Sequence, residues 1–291
     1  MADPVSPPVS VARLTDTTST RRRRVVDLGW GFNVALGIVL LILVLGLLAP
    51  VIARSSPLEI NAKARLQGPS WSHWLGTDHV GRDVLTRLIF GARTAFLGLV
   101  ITIAVTMVIG VPWGFLAGYL GGVFDTVLMR AADAMLSFPG LVLAIAITGA
   151  LGPSLVNAMV ALGVVFSPSI ARLLRSAILP LRGAPFVLVA RSLGVSRARI
   201  AVRHVVPNAF APAFVQLCAI ASLAIVIEAS LSFLGLGVQP PQPSWGRDLA
   251  DAYKYFASAP FATIAPGGVV TASAFCMTRI GDGLRQLIGT E

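Results

Sequence analysis

The chain has 291 residues, of which 55% are hydrophobic and 12% are charged. Soluble domains carry about 25% charged residues, so this composition excludes an ordinary soluble protein and indicates an integral membrane protein. The formal net charge is +10. The arginines stand next to apolar segments, where membrane orientation accounts for them, so we expect lipid contact and no nucleic-acid partner.

The N-terminal region, residues 1–29, is predicted to form a disordered cytoplasmic tail, because it is rich in Pro, Ser, Thr and Val. Four arginines at residues 21–24 resemble a twin-arginine export signal. The uncharged run that follows them is longer than a signal-peptide core. About 20 apolar residues cross a bilayer, so residues 30–53 are predicted to form a first transmembrane helix that starts in the cytoplasm.

Residues 54–94 are predicted to form an extracytoplasmic loop with an interfacial helix that leads into the next span. Four apolar side chains give that helix one face: Val84, Leu85, Leu88 and Ile89. The loop also contains His73 and His79. Two histidines could bind a metal ion, but a solvated loop accounts for them better, and we expect no metal site.

Residues 95–287 are predicted to form a core of five further transmembrane helices. The second span ends at a glycine-rich turn near residues 118–122. The third span contains Arg130 and Asp133, which are three positions apart and able to neutralise each other. It also contains Pro139 in S-F-P-G, where a broken helix is tolerated if it faces protein or a water-filled cavity.

The boundary between the third and fourth spans follows from length. Residues 134–171 are uncharged over 38 positions, which is too long for one crossing of about 30 Å. Glycines and a proline at residues 149–153 divide this run. The fourth span therefore returns to the cytoplasm and ends among arginines.

A basic loop at residues 183–207 follows the fourth span. No acidic residue occurs between Asp133 and Glu228. Seven arginines lie in this interval: Arg172, Arg175, Arg182, Arg191, Arg197, Arg199 and Arg203. A basic loop suits docking to an acidic partner; the alternative is a solvated loop that only orients the protein.

Local chemistry predicts two short helices within this loop. Pro185 suits the first turn of the first helix, and Gly194 suits the left-handed position after its end. Ser196 can cap the second helix. That second helix is predicted to extend from Arg197 through Ile200 and Arg203 to His204. It is predicted to end at Pro207.

The fifth span, about residues 208–234, contains Glu228. A carboxylate inside a membrane helix is costly, so it lines the substrate path or makes a structural hydrogen bond, and both interpretations stay open here. The segment 238–259 follows, in which prolines exclude a helix at the start and Trp245 suits an interface position. Residues 260–278 are predicted to form the sixth span.

Catalytic motifs are absent from the sequence. It contains no G-x-x-x-x-G-K-[ST] loop, so the chain cannot bind nucleotide through a P-loop. It contains no G-x-S-x-G, no H-E-x-x-H and no Cys–His cluster, so we do not expect an enzyme. Glu228 and the Arg130–Asp133 pair are the only charges within the apolar segments, and a secondary transporter needs a midplane relay. Energy for transport is therefore expected from another chain.

Three motifs resemble permease subunits of bacterial ATP-binding-cassette importers. V-A-R-S-L-G followed by I-A-V-R-H-V-V-P-N-A resembles the EAA loop, the coupling helix of that family. W-L-G-T-D-H-V-G-R-D-V-L-T-R-L-I-F-G-A-R and E-A-S-L-S-F-L-G-L-G-V-Q-P-P-Q-P-S-W-G resemble the C-type subunit of dipeptide and oligopeptide importers. One departure is Leu188, which stands where the family has glutamate.

The resemblance implies an all-α integral membrane protein with six transmembrane helices and the type I importer (MetI-like) permease fold. It implies ATPase coupling through nine residues: Phe186, Ala190, Arg191, Gly194, Arg197, Ile200, Arg203, His204 and Pro207. Glu228 and Pro139 are candidates for the translocation path. No catalytic residue and no cofactor is implied in this chain.

The implied partners are a homologous B-type permease, two ATP-binding subunits that carry ATP and Mg²⁺, and an extracytoplasmic peptide-binding protein. The implied location is the cytoplasmic membrane, with both termini in the cytoplasm. The implied substrates are dipeptides or oligopeptides. Nickel or glutathione-type substrates, a stand-alone secondary transporter and a membrane assembly factor are the alternatives.

Overall fold

A computed structural model of the chain describes residues 29–53, 55–200, 203 and 205–288, so most of the predicted N-terminal tail lies outside it. The described part is helical, with one isolated β-bridge between Thr77 and Asp83. Its helices are α1 Gly29–Leu47, α2 Ala49–Ile52, α3 Val84–Leu120, α4 Gly122–Leu136, α5 Gly140–Leu151, α6 Leu155–Leu181, α7 Pro185–Ser192, α8 Arg197–Ile200, α9 Val206–Ala209, α10 Ala211–Phe233, α11 Trp245–Tyr253 and α12 Pro260–Ile288.

Five of these helices are long and apolar enough to cross a membrane: α1, α3, α6, α10 and α12. Helices α4 and α5 meet at a bend of 91° and supply a sixth crossing if the bent pair forms one span. The all-helical, multi-span prediction is confirmed. The break lies at Ser137–Pro139, where Pro139 precedes the first residue of α5. A proline cannot donate the backbone hydrogen bond that a continuous helix needs there.

Contacts between the spans define two ends of the bundle. Helices α3 and α6 run parallel, because Gly98 lies against Met159 and Gly118 lies against Ile178. Helix α12 runs antiparallel to α10, and Ser222 donates to the Ala274 carbonyl at 2.7 Å. We call the end with α7 and α8 the α7 end, and the end with α11 and residues 55–83 the α11 end.

The predicted interfacial helix is not a separate element. Helix α3 is continuous over 37 residues from Val84 to Leu120. At about 1.5 Å per residue it is about 55 Å long, so its first turns extend beyond the hydrocarbon of about 30 Å. Asp83 caps it, accepting from the Thr86 amide at 2.8 Å. Arg93 and Thr94 contain no helix breaker, so the second span begins within the same helix.

Small residues recur every fourth position along the side of α3 that packs on α6. They are Gly98, Thr102, Thr106, Gly110, Gly114 and Gly118, and all are buried. Thr106 Oγ1 donates to the Gly163 carbonyl at 3.1 Å. Small side chains let two membrane helices approach closely, which replaces the hydrophobic driving force that is missing in lipid. This stripe therefore joins two long helices that run in the same direction.

Charged pairs attach α4 to α6 at the α7 end. Asp133 lies 2.5 Å from Arg172 of α6, so the predicted pairing of Asp133 with Arg130 is wrong. The chain turn at residues 121–122 brings α4 alongside α6, which offers Asp133 a partner on the neighbouring helix. Arg175 binds Asp125 through both Nε and Nη2, the latter at 2.7 Å.

The close approach of α3 and α6 predicts the effect of one methyl group. A Cβ added at Gly114 would lie 2.4 Å from the Ala171 carbonyl oxygen, which belongs to backbone. We expect Gly114→Ala to lower the free energy of unfolding by about 1–3 kcal/mol, which is the usual cost of overpacking a core. Thermal unfolding in detergent measures it.

Gly149→Ala in α5 is the matched control, because a Cβ there meets nothing within 4 Å. We expect this change to leave the free energy of unfolding unchanged or to raise it by up to about 1 kcal/mol, because alanine favours a helix more than glycine does. Equal melting temperatures for the two variants would contradict the tight α3–α6 contact.

Candidate functional site

Helix α7 forms the first half of the basic loop, with the predicted start and end. It begins at Pro185 and ends at Ser192. Gly194 follows with φ of +76°. The Val195 amide donates to the Ala190 carbonyl at 3.1 Å, which is the hydrogen bond expected when a left-handed residue closes a helix. The position thus needs glycine for its backbone, because nothing lies within 4 Å of an added Cβ.

The second half of the loop differs from the predicted helix. Helix α8 spans Arg197–Ile200, and the structure then describes Arg203 and Val205, whereas His204 lies outside the described residues. Pro207 does not end a helix but lies within α9, Val206–Ala209. A proline is tolerated there because the first turn of a helix leaves its amides unpaired.

One face of the loop is packed against the bundle. Val187, Ile200 and Val205 are fully buried, and Ala190 is partly buried beside them. They join an apolar cluster with residues of α6 and α10: Ile170, Leu174, Ile178, Ala213 and Ile220. The side chain of Ile200 therefore anchors α8 and is not available to a partner protein, contrary to the predicted coupling contact.

The opposite face of α7 is apolar and exposed. What we call the α7 patch consists of Phe186, Leu188 and Val189 of this helix and of Leu193 directly after its end. Val189 is 58% and Leu193 is 77% exposed. Phe186, Val189 and Leu193 follow the helical spacing that aligns side chains along one face. Leu188, at the position of the family's glutamate, lies in this patch and adds to its apolar surface.

The arginines of the interval divide into two groups. Three bind groups on other helices of the bundle: Arg172 and Arg175 bind aspartates, and Arg182 binds the Gly118 carbonyl at 3.3 Å. Arg199 and Arg203 are exposed, and they follow the α7 patch closely in the sequence. The backbone of Arg191 and Arg197 lies in α7 and α8, and their side chains are outside the described part. The loop thus offers an apolar patch, and exposed arginines follow it along the chain.

Glu228 is a buried carboxylate in α10. Its Oε1 accepts from Ser232 Oγ at 2.8 Å and from Ser244 Oγ at 3.2 Å, while Oε2 has no hydrogen-bond partner. Ser232 Oγ also accepts from the Val238 amide at 3.1 Å. These bonds tie the end of α10 to the segment before α11. The geometry favours the structural hydrogen bond over a position on the substrate path.

Substitution of Glu228 separates those two roles. Glu228→Gln keeps an acceptor for both serines and places an amide at the unpaired oxygen. We expect uptake to persist in cells with the complete transporter and stability to change by about 1 kcal/mol or less. Glu228→Ala should cost about 2–5 kcal/mol, because it creates a cavity and unpaired hydroxyls. A folded Gln variant without uptake would instead place the charge on the substrate path.

Pro139, the other candidate for the translocation path, is exposed at the break between α4 and α5. Its role on a path stays a prediction.

The two histidines of the α11 end have separate partners. His73 Nδ1 lies 3.0 Å from Asp83 Oδ1, and His79 stacks on Tyr255. Within residues 29–53, 55–200, 203 and 205–288, no group of three or more possible ligands is placed to hold a metal ion.

A buried ion pair at the α11 end was not foreseen from the sequence. Arg87 of α3 is 3% exposed, and its Nε donates to Asp248 Oδ1 of α11 at 2.9 Å. Its Nη1 donates to the Pro57 carbonyl at 3.0 Å and to the Pro241 carbonyl at 3.4 Å. One side chain thus joins α3 to two segments that are distant in sequence, one at Pro57 and one from Pro241 to Asp248. One signal for this ion pair was present in the sequence: Arg87 stands among apolar residues at the start of α3.

Trp245 supports the same contact from the core. It is 2% exposed, and its Nε1 donates to the Leu88 carbonyl at 2.9 Å, so the predicted interface position is wrong. Gly91 makes room for its ring: a Cβ there would lie 2.6 Å from Trp245 Cδ1. The tryptophan is buried because α11 folds back onto the start of α3.

Burial raises the pKa of the Asp248 carboxyl from its ordinary 3.8 to about 6, although Arg87 acts to lower it. A raised pKa in the folded state means that Asp248 stabilises the fold most below about pH 4 and loses that contribution as the pH rises through about 6. We expect wild-type stability to fall relative to Asp248→Asn between about pH 4 and 7, by on the order of 2–3 kcal/mol. Thermal unfolding at each pH measures this. Parallel pH profiles would contradict it.

Comparison with known proteins gives consistent matches. Residues 110–288 match the family described as the binding-protein-dependent transport system inner membrane component. The dipeptide transport system permease protein of Alkalihalophilus pseudofirmus is 40% identical over 88% of this chain and 84% of that protein. The glutathione transport system permease protein of Pectobacterium atrosepticum is 37% identical over 76% of this chain and 74% of that protein. A chain of the MetNI methionine ABC transporter, solved in inward-facing conformations, has a TM-score of 0.55 at 17% identity, covering 69% of this chain and 96% of that chain.

Proposed function

This chain belongs to the family of binding-protein-dependent transport inner membrane components, and from that premise we propose that it is the permease subunit of an importer for dipeptides or oligopeptides. Family membership confirms the resemblance to such permeases, and the likeness to the methionine transporter confirms the MetI-like fold. The chain is a multi-pass membrane protein and is not itself catalytic. The observation that carries the coupling role is the exposed α7 patch on a helix that is anchored in the bundle.

The proposed coupling follows from how α7 is attached. Its outer face is free to bind a groove, while Val187 on its inner face belongs to the cluster with α6 and α10. A displacement of α7 by a partner would therefore move the ends of both spans. Packed apolar cores resist compression, so such a displacement is transmitted to the spans and is not absorbed locally.

The partner that docks on α7 is proposed to be an ATP-binding subunit with an apolar groove and acidic residues at its rim. ATP and Mg²⁺ would bind on two such subunits, because the sequence of this chain has no P-loop. A second, homologous permease and an extracytoplasmic peptide-binding protein complete the assembly. The α7 end, where α1 begins and α12 ends, then faces the cytoplasm, in agreement with the arginines that border α6.

Peptides are proposed as the substrates because the A. pseudofirmus relative is named for dipeptide transport. Glutathione is a second candidate, since the P. atrosepticum relative is named for it and is 37% identical. Uptake of a radiolabelled dipeptide and of glutathione, by a strain that lacks this chain and by the complemented strain, distinguishes them.

A charge placed in the α7 patch tests the coupling role. Val189→Asp should reduce peptide uptake and substrate-stimulated ATP hydrolysis by about tenfold or more, because burying an unpaired carboxylate in an apolar contact costs several kcal/mol. The matched control is Val189→Leu, which keeps an apolar side chain and should transport normally. Membrane insertion and the melting temperature should be unchanged in both, since Val189 is exposed.

Normal uptake by a correctly inserted Val189→Asp variant would contradict docking through this patch. Solute flux by the purified chain alone, in vesicles without ATP, would instead indicate a stand-alone secondary transporter. An assembly factor would show no flux with any partner.

A further inference from the structure

A cavity of about 710 Å³ opens at the α11 end of the bundle. Its apolar walls are formed by Ile42 and Leu45 of α1, Leu88 and Ile89 of α3, and Val269 of α12. All three helices are long and apolar enough to cross a membrane, and the wall residues lie in the parts of these helices nearest α11. The walls from α1 and α12 therefore lie in the leaflet nearest α11, and Leu88 and Ile89 belong to the turns of α3 that extend from it toward the bilayer surface.

The mouth of the cavity is polar. Ser55, Ser72, His73 and Asp83 line it, and they belong to the loop outside the spans or to the first capped turn of α3. Trp74 lines it as well, and the nearby Trp71 is 92% exposed. Tryptophans are enriched where the headgroups of a bilayer meet water. The lining of the cavity thus changes from apolar to polar toward the bilayer surface, as a phospholipid changes from acyl chain to headgroup.

The cavity is open to its surroundings, so either water or the bilayer fills it, and its volume admits a group much larger than one water molecule. Water is a poor occupant of the deep part, because a buried water needs two to four polar partners and the walls of α1 and α12 offer apolar side chains.

We propose that this cavity binds one phospholipid, with an acyl chain between α1, α3 and α12 and the headgroup at the polar mouth. The volume falls in the range of about 300–1,000 Å³ that is usual for sites of small ligands. The His73–Asp83 pair and the hydroxyls of Ser55 and Ser72 offer both donors and acceptors to a headgroup. The bilayer around these helices supplies the ligand, and the opening allows it to enter from the side.

Native mass spectrometry of the full-length chain tests the proposal. The chain is reconstituted in vesicles of phosphatidylethanolamine and phosphatidylglycerol, extracted in detergent and washed. We expect one phospholipid to remain bound per chain. Ile89→Trp fills the cavity from α3 and Leu45→Trp fills it from α1, and each should reduce the bound fraction by about tenfold, the effect of roughly 1.4 kcal/mol.

Leu97→Trp is the matched control, because Leu97 lies on α3, is 53% exposed and is not part of the cavity wall. It should retain the phospholipid as the wild type does. Melting temperatures separate loss of lipid from loss of fold, and two filling variants on different helices guard against one that misfolds. Three results would overturn the proposal: no retained phospholipid in the wild type, retention in both folded filling variants, or cross-links from residue 45 to a partner permease in the assembled complex instead of to lipid.

Discussion

The apolar contact between the basic loop and the bundle is the constraint on which the account of this chain depends. Val187, Ile200 and Val205 are completely buried against α6 and α10. Without these contacts the loop would be a solvated connection between two spans, and a partner could bind it without moving them. With them, α7 is attached to the membrane domain. We propose that its exposed apolar side is the surface at which a soluble partner exerts force on the spans.

The packing of the spans complements this arrangement. The stripe of glycine and threonine on α3 brings its backbone against α6, and Thr106 donates a hydrogen bond across the contact. Since α6 leads directly to α7, a movement of α7 would reach α3 through the most extensive helix contact in the described part of the bundle. Arg175 and Asp125 attach α4 to the same unit.

At the other end, polar contacts organise irregular segments. Arg87 binds Asp248 and two backbone carbonyls, and Glu228 receives two serine hydroxyls. Buried charged groups of this kind are costly unless they are paired and hydrogen-bonded. The two networks hold α11 and the segment before it against the ends of α3 and α10, so that the α11 end keeps a defined shape. The proposed lipid site lies beside this structure.

Local signals in the sequence predicted the features that are set by local chemistry. Pro185 and Gly194 marked the ends of α7. Proline has a fixed φ and glycine allows a positive φ, and neither property depends on distant partners. Apolar length predicted the spans, and the family motifs predicted the fold. The regular spacing of small residues on α3 was also readable, and it would have indicated the α3–α6 contact.

Features that depend on distant partners could not be predicted in the same way. Asp133 was assigned to Arg130, three residues away, whereas its partner Arg172 is 39 positions distant. Arg87 and Asp248 are 161 positions apart. The burial of Trp245 and Ile200 depends on which helix lies next to them. Periodicity within one helix contains no information on those neighbours. Trp245 and Ile200 were therefore predicted to be accessible, whereas both are buried.

The most direct test of the central claim is to place a photoreactive amino acid at Leu193, the most exposed member of the α7 patch, in the chain co-expressed with its transporter partners. If the patch is the site where an ATP-binding subunit docks, illumination will join residue 193 to that subunit, and the yield will change when ATP is added. Cross-linking of residue 193 to lipid or to an extracytoplasmic binding protein, with no adduct to an ATP-binding subunit, would contradict the account.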